Sequence, residues 1–194
     1  GKTGWSYRLS VTMDFNNDGV AEEYTAACTM PEKLKLDSFN ITKKKVGEYT
    51  LYSLNISAQD QENEENYYFG KYSINGVWYQ KISKYIEFND VSLNGLYVKN
   101  LSVWNFNDIQ DKSKFSDDDA KDMVFLTSGD SMVVEFSNIS KEYFNFIDDC
   151  AHQKNGSNPM FGGPPANIST NLSNGARGFF TVYAVSEVGG KAPE

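Results

Sequence analysis

The sequence predicts a mainly β protein: an antiparallel β-sandwich or barrel-like fold with one amphipathic helix near residues 141–154. Three observations predict this class. Apolar and polar residues alternate with period two along much of the chain, which is typical of half-buried strands. Aromatic residues make up 14% of the 194 residues although the mean hydropathy is −0.52. Only one long segment has helical periodicity, so many strands accompany a single helix.

The N-terminal segment predicts a β-hairpin. From Trp5 to Asp14 the odd positions are apolar and the even positions are mostly polar, as expected of a half-buried strand. Asn16-Asn17-Asp18-Gly19 supplies a turn, because these residue types tolerate positive φ angles. A return strand is predicted over Val20–Thr29, ended by Pro31.

Further strands are predicted along the middle of the chain. Leu34–Ile41 and Val46–Ala58 are rich in Leu, Tyr and Ile, and Gly95–Phe106 is another strand candidate. The acidic stretch 59–66 is predicted to be an exposed loop, and residues 107–114 a polar connection.

Two turn motifs predict additional hairpins. Asn-Gly and Ser-Gly-Asp are common between paired strands, because they accept the backbone angles of tight turns. The predicted hairpins are Tyr67–Ser73 with Val77–Phe88 around Asn75-Gly76, and Met123–Thr127 with Met132–Phe136 around Ser128-Gly129-Asp130.

The long helix is predicted over Lys141–Lys154, with Ser140 as its N-cap and apolar residues recurring at helical spacing. A short helical turn at Ser116–Ala120 precedes it, where acidic residues favour the N-terminal end of the helix dipole. Residues 158–165 are rich in Pro and Gly and cannot stay regular. A final strand over Gly178–Val188 returns the chain to the sheet.

Composition excludes several classes of protein. A net charge of −8 and a pI near 4.7 argue against a nucleic-acid partner, which requires a basic face. One His and two Cys cannot assemble a zinc site built from several such ligands. The apolar runs are too short to span a membrane. The first residues lack a signal-peptide pattern, so we expect any export signal to have been removed or to lie outside this sequence.

A calcium site is one interpretation of the first turn. Asp14, Asn16, Asp18 and Gly19 have the spacing of the first half of an EF-hand-type loop, in which alternate oxygen atoms point inward. The twelfth position, where a bidentate acid belongs, is Thr25. The other interpretation is a hairpin turn, and apart from this calcium option no cofactor is predicted.

Cys28 and Cys150 could form one disulfide in an oxidising compartment. The alternative is two buried thiols, because free cysteine is among the most buried residue types. A catalytic Cys150 paired with His152 is disfavoured, because residues two apart on a helix point to different faces.

Paired carboxylates could serve acid–base chemistry of the kind that glycosidases use. The pairs occur in Asp117–Asp119 and at Asp148-Asp149, where capping or solvated surface acids are the other interpretation. No motif for a catalytic nucleophile, metalloprotease, P-loop or dinucleotide site is present, and no catalytic residue is predicted.

The chain has an excess of N-glycosylation tripeptides, seven where 19 Asn and 28 Ser+Thr predict about three by chance. This excess suits a secreted eukaryotic glycoprotein, or an Asn- and Ser-rich composition without glycans. The tripeptides start at Asn40, Asn55, Asn100, Asn138, Asn155, Asn167 and Asn171.

Ligand-binding candidates come from exposed rings and from the irregular loop. Rings are common at binding surfaces, although burial in the core is the default expectation. Long loops on a β scaffold often carry binding sites, which selects the region 155–177. The candidates for a glycan or peptide ligand are Trp78, Tyr79, Trp104, Asn158, Phe161 and Arg177.

A set of short motifs, in order along the chain, resembles a known family. They include the Gly-Asp-led strand 128–136, the helix start 140–144, the stretch 158–165 and residues 174–183. Nearer the start, Gly4–Val11, residues 24–31, 36–38 and 88–95 fit further blocks. Together they resemble domain-of-unknown-function family 4249, lipoproteins of Bacteroidetes-type bacteria.

The resemblance implies a domain organisation and a location. Residues 1–30 would be later strands of an immunoglobulin-like N-terminal domain that is incomplete in this chain, residues 31–188 the main β domain, and residues 189–194 a flexible tail. The full-length protein would be lipid-anchored at the outer membrane and cell surface, with the anchor outside this chain. Genes of the family commonly lie beside genes of TonB-dependent transporters, so the resemblance also implies an accessory role in nutrient uptake.

The sequence thus favours a non-enzymatic, extracytoplasmic lipoprotein module that binds a ligand or partner, with an outer-membrane transporter as the candidate partner. Two alternatives stay open. One is a carbohydrate-binding or carbohydrate-active protein that uses an acidic pair and exposed aromatic rings. The other is a secreted adhesion or structural glycoprotein.

Overall fold

The structure, a computed structural model, describes residues 1–15, 17–62, 64–91, 93–154 and 168–194, and it confirms the mainly β class. Two larger sheets face each other, and a two-stranded hairpin forms a sheet of its own. The strands are β1 (Ser6–Met13), β2 (Glu22–Thr29), β3 (Leu36–Val46), β4 (Tyr49–Gln59), β5 (Tyr67–Ile74), β6 (Val77–Trp78), β7 (Ile86–Asn89), β8 (Tyr97–Asp108), β9 (Phe125–Leu126), β10 (Ser131–Ile139) and β11 (Val185–Lys191).

The helices are short except for one. The α-helices are α1 (Asp117–Ala120) and α2 (Lys141–Lys154), and two 3₁₀ helices cover Ile82–Lys84 and Ile109–Lys114. The bounds of α2 agree with the prediction. Its N-terminus is capped as expected, because the backbone N–H of Tyr143 donates to Ser140 Oγ at 3.2 Å.

The first larger sheet has the order β3-β4-β8-β9, and the second has the order β11-β10-β5-β6, with β7 also paired to β5. All pairings are antiparallel except that of β8 with β9. Strand β11 also lies against β3, so the two sheets meet along one edge. The architecture is therefore a sandwich that is partly closed like a barrel.

The main core lies between these two sheets. Alternate residues of β4, including Tyr52 and Leu54, face Met132, Val134 and Phe136 of β10, and all five are completely buried. Burying each such side chain contributes roughly 1.5–3 kcal/mol. The period-two pattern that predicted these strands is thus explained by their core-facing residues.

A second, smaller core lies on the other face of β5. Tyr67 and Phe69 point away from the sandwich and are buried against helix α2, where Ile147 is also buried. The Tyr67 and Phe144 rings lie 5.0 Å apart, measured between centroids. The molecule therefore has three layers, with β5 between two apolar cores.

The Asn75-Gly76 hairpin is confirmed, but its second strand is interrupted. Asn75 and Gly76 have φ angles of 50° and 79°, as the tight turn requires. The predicted strand Val77–Phe88 is divided into β6, a 3₁₀ helix and β7. Both short strands pair with β5, so the chain leaves this edge and returns to it.

The hairpin predicted around residues 128–130 is wrong. Strand β9 pairs with β8 in the first sheet, whereas β10 lies in the second. The turn is nevertheless tight, because Thr127 N–H donates to Asp130 Oδ2 at 2.7 Å. It connects the two layers of the sandwich instead of two neighbouring strands.

The chain end is packed, which corrects two expectations. The final strand covers Val185–Lys191 instead of Gly178–Val188, and Ala192 is only 3% exposed. The prediction of a flexible tail at 189–194 fails because Gly189 lets β11 approach β10 closely. A Cβ atom there would lie 2.8 Å from Met132 O. Ala192 also exchanges backbone hydrogen bonds with the 129–130 turn.

The acidic stretch 59–66 is only partly exposed, as its described residues show. Asp60 and Asn66 are buried, whereas Gln59 and the described residues between Asp60 and Asn66 are exposed. Asn66 N–H and Nδ2 both donate to Asp90 Oδ2, at 3.0 and 3.2 Å. Buried polar groups require such partners, and these bonds fasten the loop to the core.

Gly70 provides a test of the close packing at β5. A Cβ atom there would lie 2.7 Å from Phe136 Cε1 and 2.9 Å from both Ile86 Cγ2 and Trp104 Cη2. We expect Gly70→Ala to lower the free energy of unfolding by about 1–3 kcal/mol, because buried side chains must move. Urea denaturation measures this change.

The matched control is Gly190→Ala, whose Cβ would lie 3.2 Å from the Phe39 ring. A small ring displacement accommodates it, and the reduced freedom of the unfolded chain offsets the strain, so its effect stays within about 1 kcal/mol of zero. Equal destabilisation by the two variants would contradict the packing described for β5.

Candidate functional site

The β1–β2 hairpin presents an apolar face that is only partly covered. The face carries the odd residues of β1 and, opposite them, residues such as Tyr24, Ala26 and Cys28 of β2. Near Cys28 the face is buried against the chain around Thr181 and Val182. Farther along, Val11 is 42% exposed, Met13 49% and Phe15 75%.

A groove of about 490 Å³ lies over this uncovered part. One wall is the apolar face of the hairpin, and the other is the chain segment that contains Leu172 and Arg177. The groove-lining side chains on the hairpin are Leu9, Val11, Met13, Phe15 and Tyr24. We call this site the hairpin groove.

The two outer edges of the hairpin differ. The edge of β2 is hydrogen-bonded to the segment that forms the second wall of the groove. Ser173 N–H donates to Thr25 O at 2.9 Å, and Asn174 Nδ2 donates to Glu23 O at 2.6 Å. The edge of β1 pairs with no strand in the described part of the chain. The hairpin groove therefore lies beside an open strand edge.

Arg177 is the one predicted binding residue that the structure places at the groove. It is exposed, and it forms no ion pair with a described residue. Its positive charge stands at the rim of an apolar groove in a protein of net charge −8. Asn158 and Phe161, which were predicted with it, lie outside the described residues.

The predicted ring candidates do not share one surface. Tyr79 and Trp104 contact the sandwich core, each with a ring centroid 5.0–5.2 Å from that of Tyr72. Trp78 lies on the opposite face of the second sheet, where Lys71 Nζ is 5.1 Å from its ring centroid. A stacking platform that joins all three rings is therefore not formed.

The candidate calcium residues at the first turn bind backbone instead. Asp14 accepts the N–H groups of Asp18 and Gly19 at 3.1 and 2.9 Å, and Asp18 Oδ1 accepts that of Val20 at 2.8 Å. Asn16 lies outside the described residues. Within the described chain, no group of three or more His, Cys, Asp or Glu residues could hold a metal ion.

The disulfide between Cys28 and Cys150 is not formed, and both residues are free cysteines. Cys28 is buried, and its thiol donates to Thr29 O at 3.6 Å. Cys150 is partly exposed on α2, where burial and, secondarily, the charge of Asp149 raise the pKa of its thiol. The alternative of two separate thiols describes the structure.

The two groups of paired acidic residues lie in different places in the fold. Ser116 Oγ accepts the Asp119 N–H at 3.2 Å, so the 117–119 run starts a capped helical turn, as predicted. Asp148 lies near Glu87 of β7. Burial, followed by the negative charge of Asp148, raises the pKa of the Glu87 carboxyl.

The outer face of the first sheet explains part of the excess of glycosylation tripeptides. Along a strand, residues two apart share a face, so Asn40 with Thr42 and Asn55 with Ser57 lie on the same face. Their amides bond to each other: Asn55 Nδ2 donates to Asn40 Oδ1 at 3.0 Å, and Asn40 Nδ2 donates to Asn100 Oδ1 at 3.3 Å. We call this surface the polar plate.

Sequence reasoning found Arg177 but missed the rest of the hairpin groove. Leu9, Val11 and Met13 did give a signal, the strict alternation of the first strand. Alternation shows which residues share a face, but it does not show whether a second layer covers that face. These residues were therefore predicted to be half-buried.

Among the described residues, no helix has both the length and the apolar composition needed to cross a bilayer.

A family model described as Domain of unknown function (DUF4249) matches residues 1–188. No curated protein and no solved structure matches the chain.

The free thiols give a testable prediction. Without reductant, iodoacetamide should label Cys150 in the folded protein, and Cys28 only after unfolding, because Cys28 is buried. Labelling of Cys150 should be slower than that of a model thiol at the same pH, because its raised pKa lowers the thiolate fraction. Peptide mass spectrometry measures both. Labelling that requires prior reduction would show that the two cysteines pair.

Glu87 gives a pH-dependent prediction. Its pKa is raised in the folded state, so the folded protein holds this proton more tightly, and ionisation at higher pH destabilises the fold. Glu87→Gln should therefore raise the unfolding temperature at pH 7, and the gain should disappear below about pH 4, where the carboxyl is protonated in both states. Exposed Glu64→Gln is the control. A gain that persists at low pH would contradict this cause.

Proposed function

The chain belongs to the DUF4249 family, whose model matches residues 1–188, and from this premise we propose that it is a non-enzymatic, extracytoplasmic lipoprotein module that binds a partner through the hairpin groove. The observation that carries the proposal is the uncovered apolar face formed by Val11, Met13 and Phe15.

Exposed apolar surface of this kind favours a binding role. Contiguous apolar patches on soluble domains commonly mark interaction sites. A two-stranded hairpin is marginally stable by itself, so a partner that covers the apolar face would also stabilise it. The groove therefore has a physical reason to be occupied.

The partner's contact surface should be apolar with an acidic group. Leu9, Val11 and Met13 offer apolar contact, and Arg177 offers one positive charge at the rim. Charge pairs at a rim mainly set orientation and association rate, whereas buried apolar contacts supply most of the affinity. The groove offers a binding surface, without an arrangement of acids and bases suited to catalysis.

We assign the partner to the outer membrane. The family resemblance implies a lipid-anchored protein at the cell surface and an accessory role in nutrient uptake beside a TonB-dependent transporter. A transporter that exposes an apolar, acidic segment at the surface would match the groove.

The experiment is photo-crosslinking in cells of the native source. A crosslinking residue placed at Met13, which lines the groove and is 49% exposed, should yield an adduct that mass spectrometry identifies as an outer-membrane transporter. Phe15→Asp or Arg177→Glu should reduce the adduct at least tenfold, because each change removes apolar contact or reverses the rim charge. Val91→Asp is the matched control, because Val91 is 71% exposed and lies away from the groove.

Cell fractionation completes the test. The native protein should sediment with outer membranes and incorporate labelled fatty acid. An adduct that Phe15→Asp leaves unchanged would contradict the groove as the binding site. Recovery of the unlipidated native protein in the cytosol would contradict the proposed location.

A further inference from the structure

One end of the sandwich contains a polar cavity separate from the hairpin groove. It has a volume of about 170 Å³ and lies where β4 ends, β3 begins and β5 starts. At about 30 Å³ per water molecule in the liquid, this volume suits a solute of amino-acid size. We call it the end cavity.

A buried carboxylate forms part of its wall. Asp60 is only 6% exposed, its Oδ1 accepts the Tyr68 hydroxyl, and its Oδ2 accepts Gly95 N–H at 2.8 Å. None of the ion pairs among described residues includes Asp60. Its two hydrogen bonds come from neutral donors, so the negative charge is solvated by the protein but not neutralised, and a ligand ammonium group would supply the missing opposite charge.

The surroundings of Asp60 are more negative still. Asp90 is 1% exposed, and it too forms no ion pair among described residues. Burial, the hydrogen bond to Asp60 and the charges of both acids raise the pKa of Tyr68 well above its usual value. Tyr68 therefore stays protonated and acts as a hydrogen-bond donor.

A smaller apolar chamber adjoins the end cavity. It measures about 30 Å³ and shares Leu34, Asp60 and Tyr68 with the larger space. Its other walls include Ile56, Ala58 and further aliphatic or aromatic side chains. Its size and lining suit the end of a short alkyl group placed beside the carboxylate.

The exposed part of the end cavity carries more positive than negative charge. Lys33 and Lys35 line it and are exposed, so their ammonium groups stand near the entrance. The one acid beside them, Glu32, is also exposed and accepts the Thr3 hydroxyl at 3.0 Å. The side chains of Gln59, Gln61 and Asn138 add uncharged hydrogen-bonding groups. Negative charge inside and positive charge at the entrance complement a zwitterion.

We propose that the end cavity binds a small aliphatic α-amino acid. The ammonium group meets Asp60, the alkyl group enters the apolar chamber, and the carboxylate faces Lys33 and Lys35. This inference is independent of the hairpin groove, since the two sites share no residues.

The ligand test uses L-valine and two truncated analogues, measured by calorimetry and by thermal shift. Valine should bind with a dissociation constant on the order of 1 mM or tighter. Isobutylamine keeps the ammonium group but lacks the carboxylate, so it should bind at least fivefold more weakly. Isovalerate lacks the ammonium group and should not bind. Absence of valine binding, or isovalerate binding as tight as valine, would overturn the proposal.

Substitutions of the proposed contact residues test which group of the ligand each residue binds. Asp60→Asn should weaken valine binding at least tenfold, whereas Asp37→Asn, an exposed acid on β3, should leave it unchanged. Lys33→Ala with Lys35→Ala should weaken valine but not isobutylamine, and both lysines are exposed, so folding does not depend on them. Equal weakening of the two ligands would contradict the assignment of the ligand carboxylate.

A larger side chain in the wall of the apolar chamber provides a test that does not depend on Asp60. Ala58→Val adds two methyl groups to the chamber wall, so it should weaken valine binding more than glycine binding. The unliganded variant is first checked by thermal unfolding. If Asp60→Asn fails to fold, the ligand series and the lysine and Ala58 variants still decide the question. Unchanged discrimination between valine and glycine in Ala58→Val would contradict the chamber's role.

Discussion

The structure depends on one strand that is buried on both faces. In β5, seven of eight residues are buried, and its alternate side chains enter two different cores. Tyr68 and Tyr72 pack in the sandwich, while Tyr67 and Phe69 contact the layer of α2. Gly70 leaves room for Phe136 and Trp104 to meet over the strand. Because Tyr68 also donates to Asp60, the same strand positions the wall of the end cavity.

The hairpin contrasts with this central strand. Both have apolar residues at every second position, but β5 lies between β10 on one edge and β6 and β7 on the other, whereas β1 pairs with β2 alone among the described strands. The layers that cover β5 come from distant parts of the chain, whereas in the described structure a short segment near residues 172–182 covers part of the hairpin. Alternation of apolar residues therefore accompanies a core strand in one place and an exposed apolar face in the other.

Local features were predictable from the sequence, and long-range ones were not. The bounds of α2, its Ser140 cap and the Asn75-Gly76 turn follow from nearby residues, and the structure confirms them. The pairing of β9 with β8 depends on which distant strand has a free edge. The packed end at Ala192 and the exposed face at Phe15 likewise depend on neighbours far along the chain. The end cavity was missed for this reason too, because Asp60 and Lys33 become neighbours only in the fold.

The glycosylation tripeptides illustrate how a sheet can imitate a modification signal. Residues two apart along a strand share a face. A strand whose polar face is rich in Asn, Ser and Thr therefore often contains the tripeptide Asn-x-Ser/Thr. The polar plate does this at Asn40, Asn55 and Asn100. Asn55 and, at the end of β10, Asn138 are buried, and Asn138 Nδ2 donates to Asn66 Oδ1 at 2.8 Å. A buried amide that is already hydrogen-bonded is a poor glycan acceptor, so the excess needs no secretory glycosylation, which weakens the glycoprotein alternative relative to a binding module.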